Sequence, residues 1–484
     1  MLDTTTILFY IYGLYIITFV IVLILDNREP ASIIAWTTVL ILLPVIGILV
    51  YLLIGRNWRK ISKKKKVIKQ ELSKYLVNSI SAIAKREKEN ISHLLNKEEY
   101  KNKAELLNLL KNNSNSILTS SNKIEILQSG EEKFQKLIED IKQAEKFIHL
   151  EYFIWRNDKL TKKINGLLIK KAKQGVEVRI IYDTWGSFSF SRLTRWKMRK
   201  SGIKIYPYFN FISPFKFHTL NYRNHRKIAI IDGKVAYTGG MNMAKEYIDG
   251  GRMFKKWRDT HLRIRGDAVE ILQGIFAISW YNTTKEKLFN SKYFTIGKTF
   301  QEKTPMHITT CGPDSEWDSI KQLYFTLIAT AQKRVYIQTP YFIPDPSVQM
   351  ALKVAALSGV DVRVMMAGIP DKWLPFWAAQ TYLEELLAAG VKIYQYKQGF
   401  LHSKTVMADD SVCSIGTANM DVRSFELMYE LNTIIYDKSI SERLKNDFLE
   451  DMKSCEETTL EKIRKENIFI KFRNSLARLF APLL

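Results

Sequence analysis

The chain has 484 residues; a 46% apolar composition with 25 Phe, 23 Tyr and 10 Trp excludes a largely disordered protein. Its 73 Lys and Arg against 49 Asp and Glu leave a formal net charge of +24. A soluble metabolic enzyme needs no such excess; an anionic partner, membrane lipid or nucleic acid, accounts for it. Cys311, Cys413 and Cys455 lack pairing or ligand spacing, which excludes a disulfide framework and a Cys-based zinc site.

Two uncharged runs open the chain, Ile7–Leu25 and Ile33–Ile54. At about 1.5 Å per residue they reach about 28 and 33 Å, enough to cross a hydrocarbon core. The short polar stretch between them makes the pair a helical hairpin. A signal peptide is disfavoured because Asp3 stands where a basic region belongs and a second run follows at once. Arg56, Arg59, Lys60, Lys63, Lys64, Lys65, Lys66 and Lys69 then put cations on one side without an acid among them. The positive-inside rule places that side, and both chain ends, in the cytoplasm. The same cations suit anionic headgroups. Residues 71–120 are polar and rich in Lys, Glu and Asn, and read as exposed helices and a Ser/Asn loop linking bilayer to catalytic body.

The remainder is an internal repeat. FIHLEYFI at 147–154 recurs as VYIQTPYFI at 335–343, GVEVRI at 175–180 as GVDVRV at 359–364, and SGIKIY at 201–206 as AGVKIY at 389–394. Short β-rich runs alternate with helix-like stretches such as Leu160–Lys173 and Val348–Leu357. This predicts an α/β fold of two pseudo-symmetric α/β/α lobes with largely buried sheets. The expected divisions are a transmembrane hairpin at 1–55, a basic juxtamembrane segment and helical linker at 56–118, lobes at 119–300 and 301–455, and a C-terminal helix at 456–484.

Each copy carries one motif. His225, Lys227 and Asp232 are followed by Gly239, Gly240 and Asn242; His402, Lys404 and Asp409 by Gly416, Thr417 and Asn419. Both fit H-x-K-x4-D-x6-G-x2-N. One such match carries no weight; the same spacing twice within a repeat does. His225 and Lys227, two residues apart on a β-run, share a sheet face, while Ile228 and Ile230 face the other. Asp232-Gly233 signals a tight hairpin, and a glycine-bearing turn lets backbone amides approach an anion. Two such faces meeting would place two imidazoles and two ammonium groups around one phosphodiester, with one histidine attacking phosphorus and the other protonating the leaving alkoxide. The two Asp residues, on the opposite parity at the turn, are read either as part of this catalytic set or as structural Asx-type anchors.

These motifs resemble those of the phospholipase D superfamily over roughly residues 120–484. With the hairpin motifs Ala35-Trp36, Leu43-Pro44-Val45-Ile46-Gly47 and Tyr51–Arg56, the resemblance extends to bacterial cardiolipin synthases. It implies transfer of a phosphatidyl group from one phosphatidylglycerol to a second, through a phosphohistidine and without metal or other cofactor. His225 is then the better candidate nucleophile and His402 the general acid and base. Thr417 departs from the usual Ser but keeps the hydroxyl. Acids placed comparably in related enzymes orient the histidines, which points to Asp259 and Glu430; surface salt bridges are the competing reading. Gly239, Gly240, Asn242, Gly416, Thr417 and Asn419 are expected to bind phosphate.

His149, His218 and His261 are not duplicated, and no metal-ligand spacing exists. Tyr152-Phe153-Ile154 and Tyr341-Phe342-Ile343-Pro344 either line an acyl entrance or pack the core. From Leu460 onward, Ile468, Phe469, Phe472, Leu476, Leu479 and Phe480 recur at helical spacing among basic residues, giving a helix for the bilayer surface or for docking on the second lobe. The expected partners are phosphatidylglycerol, as donor and acceptor, and anionic membrane lipids; without a stacking-aromatic stripe no nucleic acid is expected. Nothing specifies an oligomeric state. A hydrolase of the same fold, acting on phospholipid or nucleic acid, stays open, because the motifs do not choose water or alcohol as second nucleophile. A non-catalytic lipid-binding scaffold has no use for two intact motifs.

Overall fold

The computed structural model describes residues 3–25, 30–44, 47, 48, 51, 75, 78–209, 221–294 and 303–483. The chain divides into two units, residues 1–67 with 209–222, and residues 68–208 with 223–484. In the first, α1 (Thr4–Leu25) touches α2 (Pro30–Leu42). Tyr12 Oη donates to Ile41 O at 2.6 Å and Tyr15 Oη to Pro44 O at 2.9 Å. Leu23, Leu40 and Tyr51 form a small core, with the Trp36 ring edge-on to Tyr51. Among the residues whose side chains are described, no helix is long and apolar enough to cross a membrane. The basic run Arg56–Lys69, part of the second apolar run and His218 lie outside the described residues.

The second unit holds the repeat. Its first half contributes β1 (Asn122–Leu127), β2 (Phe147–Tyr152), β3 (Glu177–Tyr182), β4 (Lys204–Pro207), β5 (Arg223–Asn224), β6 (Lys227–Ile231), β7 (Val235–Gly239), β8 (Trp257–Arg258) and β9 (His261–Gly266). Its second half contributes β10 (Met306–Cys311), β11 (Arg334–Thr339), β12 (Phe342–Ile343), β13 (Asp361–Ala367), β14 (Lys392–Tyr396), β15 (Phe400–Leu401), β16 (Thr405–Ala408), β17 (Val412–Gly416), β18 (Met420–Asp421), β19 (Met428–Tyr436) and β20 (Cys455–Thr458). The sheets run β1-β9-β7-β6-β2-β3-β4 and β10-β19-β17-β16-β11-β13-β14-β20. The order is the same in both, with one added edge strand, so the second sheet reaches Thr458, past the division expected at 455.

Local chemistry sets the elements. The helix Lys159–Lys173 opens on a capping box, Asp158 accepting from Thr161 N at 2.9 Å, and Pro346–Leu357 opens on Asp345 with proline in its first turn. The β6–β7 hairpin turns at Asp232 and Gly233, whose φ values of 55° and 66° suit a primed turn. Strand parity divides the core. Ile228, Ile230, Leu262 and Ile264 join Met407, Cys413, Ile415 and Leu431 in one apolar layer between the two sheets, together with Leu272, Phe276 and Trp280 of the helix Asp267–Thr284. Ala229 and Ile231 face the outer layer of the first half, Val406 and Ala408 that of the second.

The segment read as an exposed linker is instead built into the second half. Leu94, Tyr100, Leu106, Leu107 and Leu110 are buried with Leu327 and Val335. The helix Ala104–Ser114 closes on Asn115 in the left-handed conformation, with Ser116 N donating to Leu110 O at 3.2 Å.

Candidate active site between the two sheets

Two short strands cross from each half to the other. β5 pairs in parallel with the start of β19, Asn224 opposite Tyr429. β15 pairs with β8, Leu401 opposite Arg258. The chain continues in step past each pair: His225 N donates to Tyr429 O at 3.0 Å, and His402 N donates to Arg258 O at 2.7 Å. The next residue on each facing strand is an acid. His225 Nδ1 therefore meets Glu430 Oε1 at 2.8 Å, and His402 Nδ1 meets Asp259 Oδ2 at 2.7 Å. Each histidine is held by the carboxylate of the opposite half. With ionised carboxylates as acceptors, each Nδ1 carries a proton, and Nε2 holds a lone pair when the ring is neutral or a second proton when it is charged.

The glycines make this fit. A Cβ on Gly240 would stand 1.9 Å from Asp259 Oδ1, and one on Gly416 would stand 2.1 Å from Asn432 Oδ1. Their lack of a side chain gives room to the carboxylate strand. Thr417 Oγ1 donates to Glu430 Oε2 and accepts from Leu431 N at 2.9 Å, so it orients the acid behind His225. Asn242 is spent within its own half, Oδ1 accepting from Ile154 N at 3.1 Å and Nδ2 donating to Tyr247 Oη at 2.8 Å. Gly239, at φ 139°, lies against His261. Of the expected phosphate cradle, Asn419 keeps a buried Oδ1 with no partner.

Lys227 Nζ donates to His225 O at 2.6 Å, and Lys404 Nζ donates to the carbonyl of His402. Both lysines are fully buried in the junction. Burial first, then the neighbouring cation for Lys227, pushes Lys227 down to about 7; burial pushes Lys404 down to about 8. Burial likewise pushes Asp259 and Glu430 up to about 7, against the pull of the two lysines. Both imidazoles are driven well below their ordinary value by burial and then by Lys227, Lys404 and Lys372, His402 also by His225. The two motifs thus act on each other inside one pocket of charge. An arriving phosphate anion would relieve both lysines.

Asp232 and Asp409 are corrected from the catalytic set. Asp232 accepts from the amides of Glu145, Lys146 and Phe147 at 2.8, 2.7 and 2.8 Å. Asp409 takes Lys333 N at 2.7 Å and Gln332 N at 3.0 Å. Seven residues of extended chain, about 20 Å, separate each from its histidine. They anchor the starts of β2 and β11. Asp232→Ala would strand the buried Phe147 donor and free the more exposed amides of Glu145 and Lys146, so a loss of about 2 kcal/mol in folding stability is expected with specific activity of the folded fraction retained. Denaturant titration beside an activity assay checks this.

The aromatic segments divide between the junction and the core. The Phe153 ring lies edge-on to His225 at 4.8 Å, and Tyr341 Oη donates to Asp371 at 2.7 Å. Tyr152, Phe342 and Ile343 are core residues. Sequence reasoning missed Lys372, which has no counterpart in the duplicated motif. It also missed Asp183, whose carboxylate accepts from Trp185, Gly186 and Asn224 amides and so fixes β5 just before His225. His149 stacks on Phe276 in the core, and His261 Nδ1 accepts from Met241 N at 3.3 Å. Among the described residues no cluster of His, Cys, Asp and Glu could hold a metal ion.

A twice-repeated sheet order with one H-x-K motif per half at a shared junction defines the phospholipase D superfamily. The family model described as cardiolipin synthase, PLD-like domain, matches residues 137–252 and 324–452, and one described as phospholipase D-nuclease N-terminal matches residues 13–56. Cardiolipin synthase of Geobacillus kaustophilus (strain HTA426) is 39% identical over 471 residues, covering 97% of this chain and 92% of that protein. Cardiolipin synthase of Listeria monocytogenes serotype 4b (strain CLIP80459) is 40% identical over 466 residues, 95% of each. The crystal structure of phosphatidylserine synthase from Haemophilus influenzae Rd KW20 shares the fold, with a TM-score of 0.58 at 15% identity over 78% of this chain and 100% of that one. The chain belongs to the cardiolipin synthases, phosphatidyltransferases of the phospholipase D superfamily.

Proposed function

We propose that this enzyme converts two phosphatidylglycerol molecules into cardiolipin and glycerol through a phosphatidyl-histidine. The observation that carries the reading is the pair of histidines, each held at Nδ1 by a carboxylate from the other half, with two buried lysines beside them. Lys227 and Lys404 neutralise the phosphodiester. The Nε2 lone pair of His225 attacks phosphorus, the phosphorus–oxygen bond to glycerol breaks, and His402 Nε2–H gives its proton to the leaving alkoxide. A hydroxyl of the second phosphatidylglycerol then returns a proton to His402, its oxygen bonds to phosphorus, and the phosphorus–nitrogen bond breaks. The amides of Gly240, Met241, Gly416 and Thr417 already donate to Thr260 O, His261 Nδ1, Lys404 O and Leu431 O, so in this proposal the two lysines are left to meet the phosphate oxygens. No metal or organic cofactor enters these steps.

The apolar N-terminal runs and the cations after them make this a cell-membrane enzyme in the proposal, with the catalytic body and both ends cytoplasmic. The test supplies the purified full chain with phosphatidylglycerol alone in detergent. Cardiolipin and glycerol in equal amounts are expected; phosphatidic acid without cardiolipin overturns the reading in favour of hydrolysis. The lysines add a pH dependence. With values lowered to about 7 and 8, they lose charge as pH rises through that window. The free site then binds phosphate less well, so kcat/KM for phosphatidylglycerol is expected to fall between pH 7 and 9 more steeply than kcat.

A further inference from the structure

The C-terminal helix Ile468–Arg478 packs against the helix Trp373–Gln380 with the wrong face for a soluble domain. It buries Asn474 and Ala477 and lays Arg473 over the Trp377 ring at 4.6 Å and Arg478 over Tyr382 at 4.5 Å. Its apolar stripe points away. Ile468, Phe469, Phe472 and Leu479 are 71%, 78%, 68% and 74% exposed, and Leu476 is half-exposed. At about 100° per residue these five share a contiguous arc, opposite the arc that holds Asn474 and Ala477. An amphipathic helix of a water-soluble body turns its stripe inward; this one docks through a small and a polar residue and leaves the stripe outside.

More apolar surface is exposed at the start of the helix beneath and in the loop before it. Trp373 is 60% exposed, and Leu374 and Ile369 are partly so. That helix starts directly after Lys372, the cation that acts on both His225 and His402. Its Pro375, Phe376 and Ala379 line a small cavity with Tyr341, Lys372 and Phe400. The exposed apolar surface is therefore one helix away from the candidate active site.

We propose that this surface lies in the interfacial layer of an anionic bilayer and holds the mouth of the active site at the source of its lipid. The inference rests on the lipid-substrate reading above. Charge selects the occupant. Lys471, Arg473 and Arg478 flank the stripe, and the chain carries +24 overall. A second copy seated here would bring like cations together, whereas anionic headgroups pair with them and take the aromatic and aliphatic side chains just below.

The test uses the full chain reconstituted into phosphatidylcholine vesicles containing phosphatidylserine, neither of which is the proposed substrate. Spin labels are placed at Phe469→Cys, Phe472→Cys and Leu476→Cys, with Lys465→Cys as the reference in water. The expected result is oxygen accessibility at the three stripe positions severalfold above that at Lys465, with accessibility to an aqueous nickel complex reduced to match. Water-like values at all four positions overturn the proposal, and so does spin–spin broadening between stripe labels, which marks a second copy. This readout needs no turnover, so its failure is separate from failure of the proposed reaction. A kinetic arm uses Phe469→Ser, Phe472→Ser and Leu476→Ser together. KM for phosphatidylglycerol in vesicles should rise roughly tenfold with activity in detergent micelles unchanged; equal kinetics in vesicles overturns it.

Discussion

His225→Ala and His402→Ala should each lower cardiolipin formation by at least about 10⁴-fold, with the protein still folded and membrane-bound. Both side chains sit in the junction without filling the large apolar layer between the sheets, so the fold has little to lose from truncation. The two variants should differ in what rescues them. A donor whose leaving group is a nitrophenolate needs no proton from the enzyme. If His402 serves as general acid, His402→Ala should release nitrophenol in the first turnover at a rate within about tenfold of the wild type. His225→Ala lacks the attacking nitrogen and should release none, and only His402→Ala should accumulate a labelled phosphatidyl-protein after a denaturing quench at alkaline pH, where the phosphorus–nitrogen bond survives. Rescue of His225→Ala instead would exchange the two roles. Near-wild-type cardiolipin synthesis by either variant would remove the mechanism.

Much of this site was legible because duplication supplies its own control. The spacing from His225 to Asn242 and from His402 to Asn419 placed both motifs on β6–β7 and β16–β17, but strand parity misled: Ile228 and Ile230, expected on the face turned away from the other half, line the layer between the sheets, because His225 precedes β6 and does not share its alternation. The acids at 259 and 430 were also visible, as residues at comparable distances after each histidine. Their crossing was not. It is made by β5, β8 and β15, strands of two residues each, too short to show any period, and by registers between residues about 150 to 200 positions apart. Asp232 and Asp409 misled for the opposite reason. The motif ties them to the histidines in sequence, yet a β-strand carries its two ends far apart, and the carboxylates cap the neighbouring strands instead. Residues 81–114 looked exposed because Lys, Glu and Asn dominate them, although one leucine-bearing face of each helix is enough to bury them on the second half. For the C-terminal helix, spacing identified the apolar stripe, but the docking partner is the opposite arc, and only the packed structure distinguishes the two.

The crossed pairing predicts which carboxylate serves which chemical step. Glu430→Gln removes the acceptor that fixes the Nδ1 proton of His225, and Asp259→Asn does the same for His402. Each should cost about 10² to 10⁴ in turnover, because an amide in the acid's place can favour the wrong tautomer and no longer stabilises the imidazolium. Both acids are fully buried, and burial already pushes them up to about 7, so neutral replacements keep their volume and should not lower folding stability. First-turnover release from the nitrophenyl donor separates the two. Asp259→Asn weakens the histidine proposed as proton donor and should be rescued like His402→Ala. Glu430→Gln disables the proposed nucleophile and should stay slow, even though Glu430 belongs to the half that carries His402. In a double-mutant cycle, adding Glu430→Gln to His225→Ala should cost almost nothing, while adding it to His402→Ala should cost nearly its full effect. The reverse pattern would mean that each histidine is served by the acid of its own half. The junction of β5 with β19 and of β15 with β8 would then have no catalytic purpose.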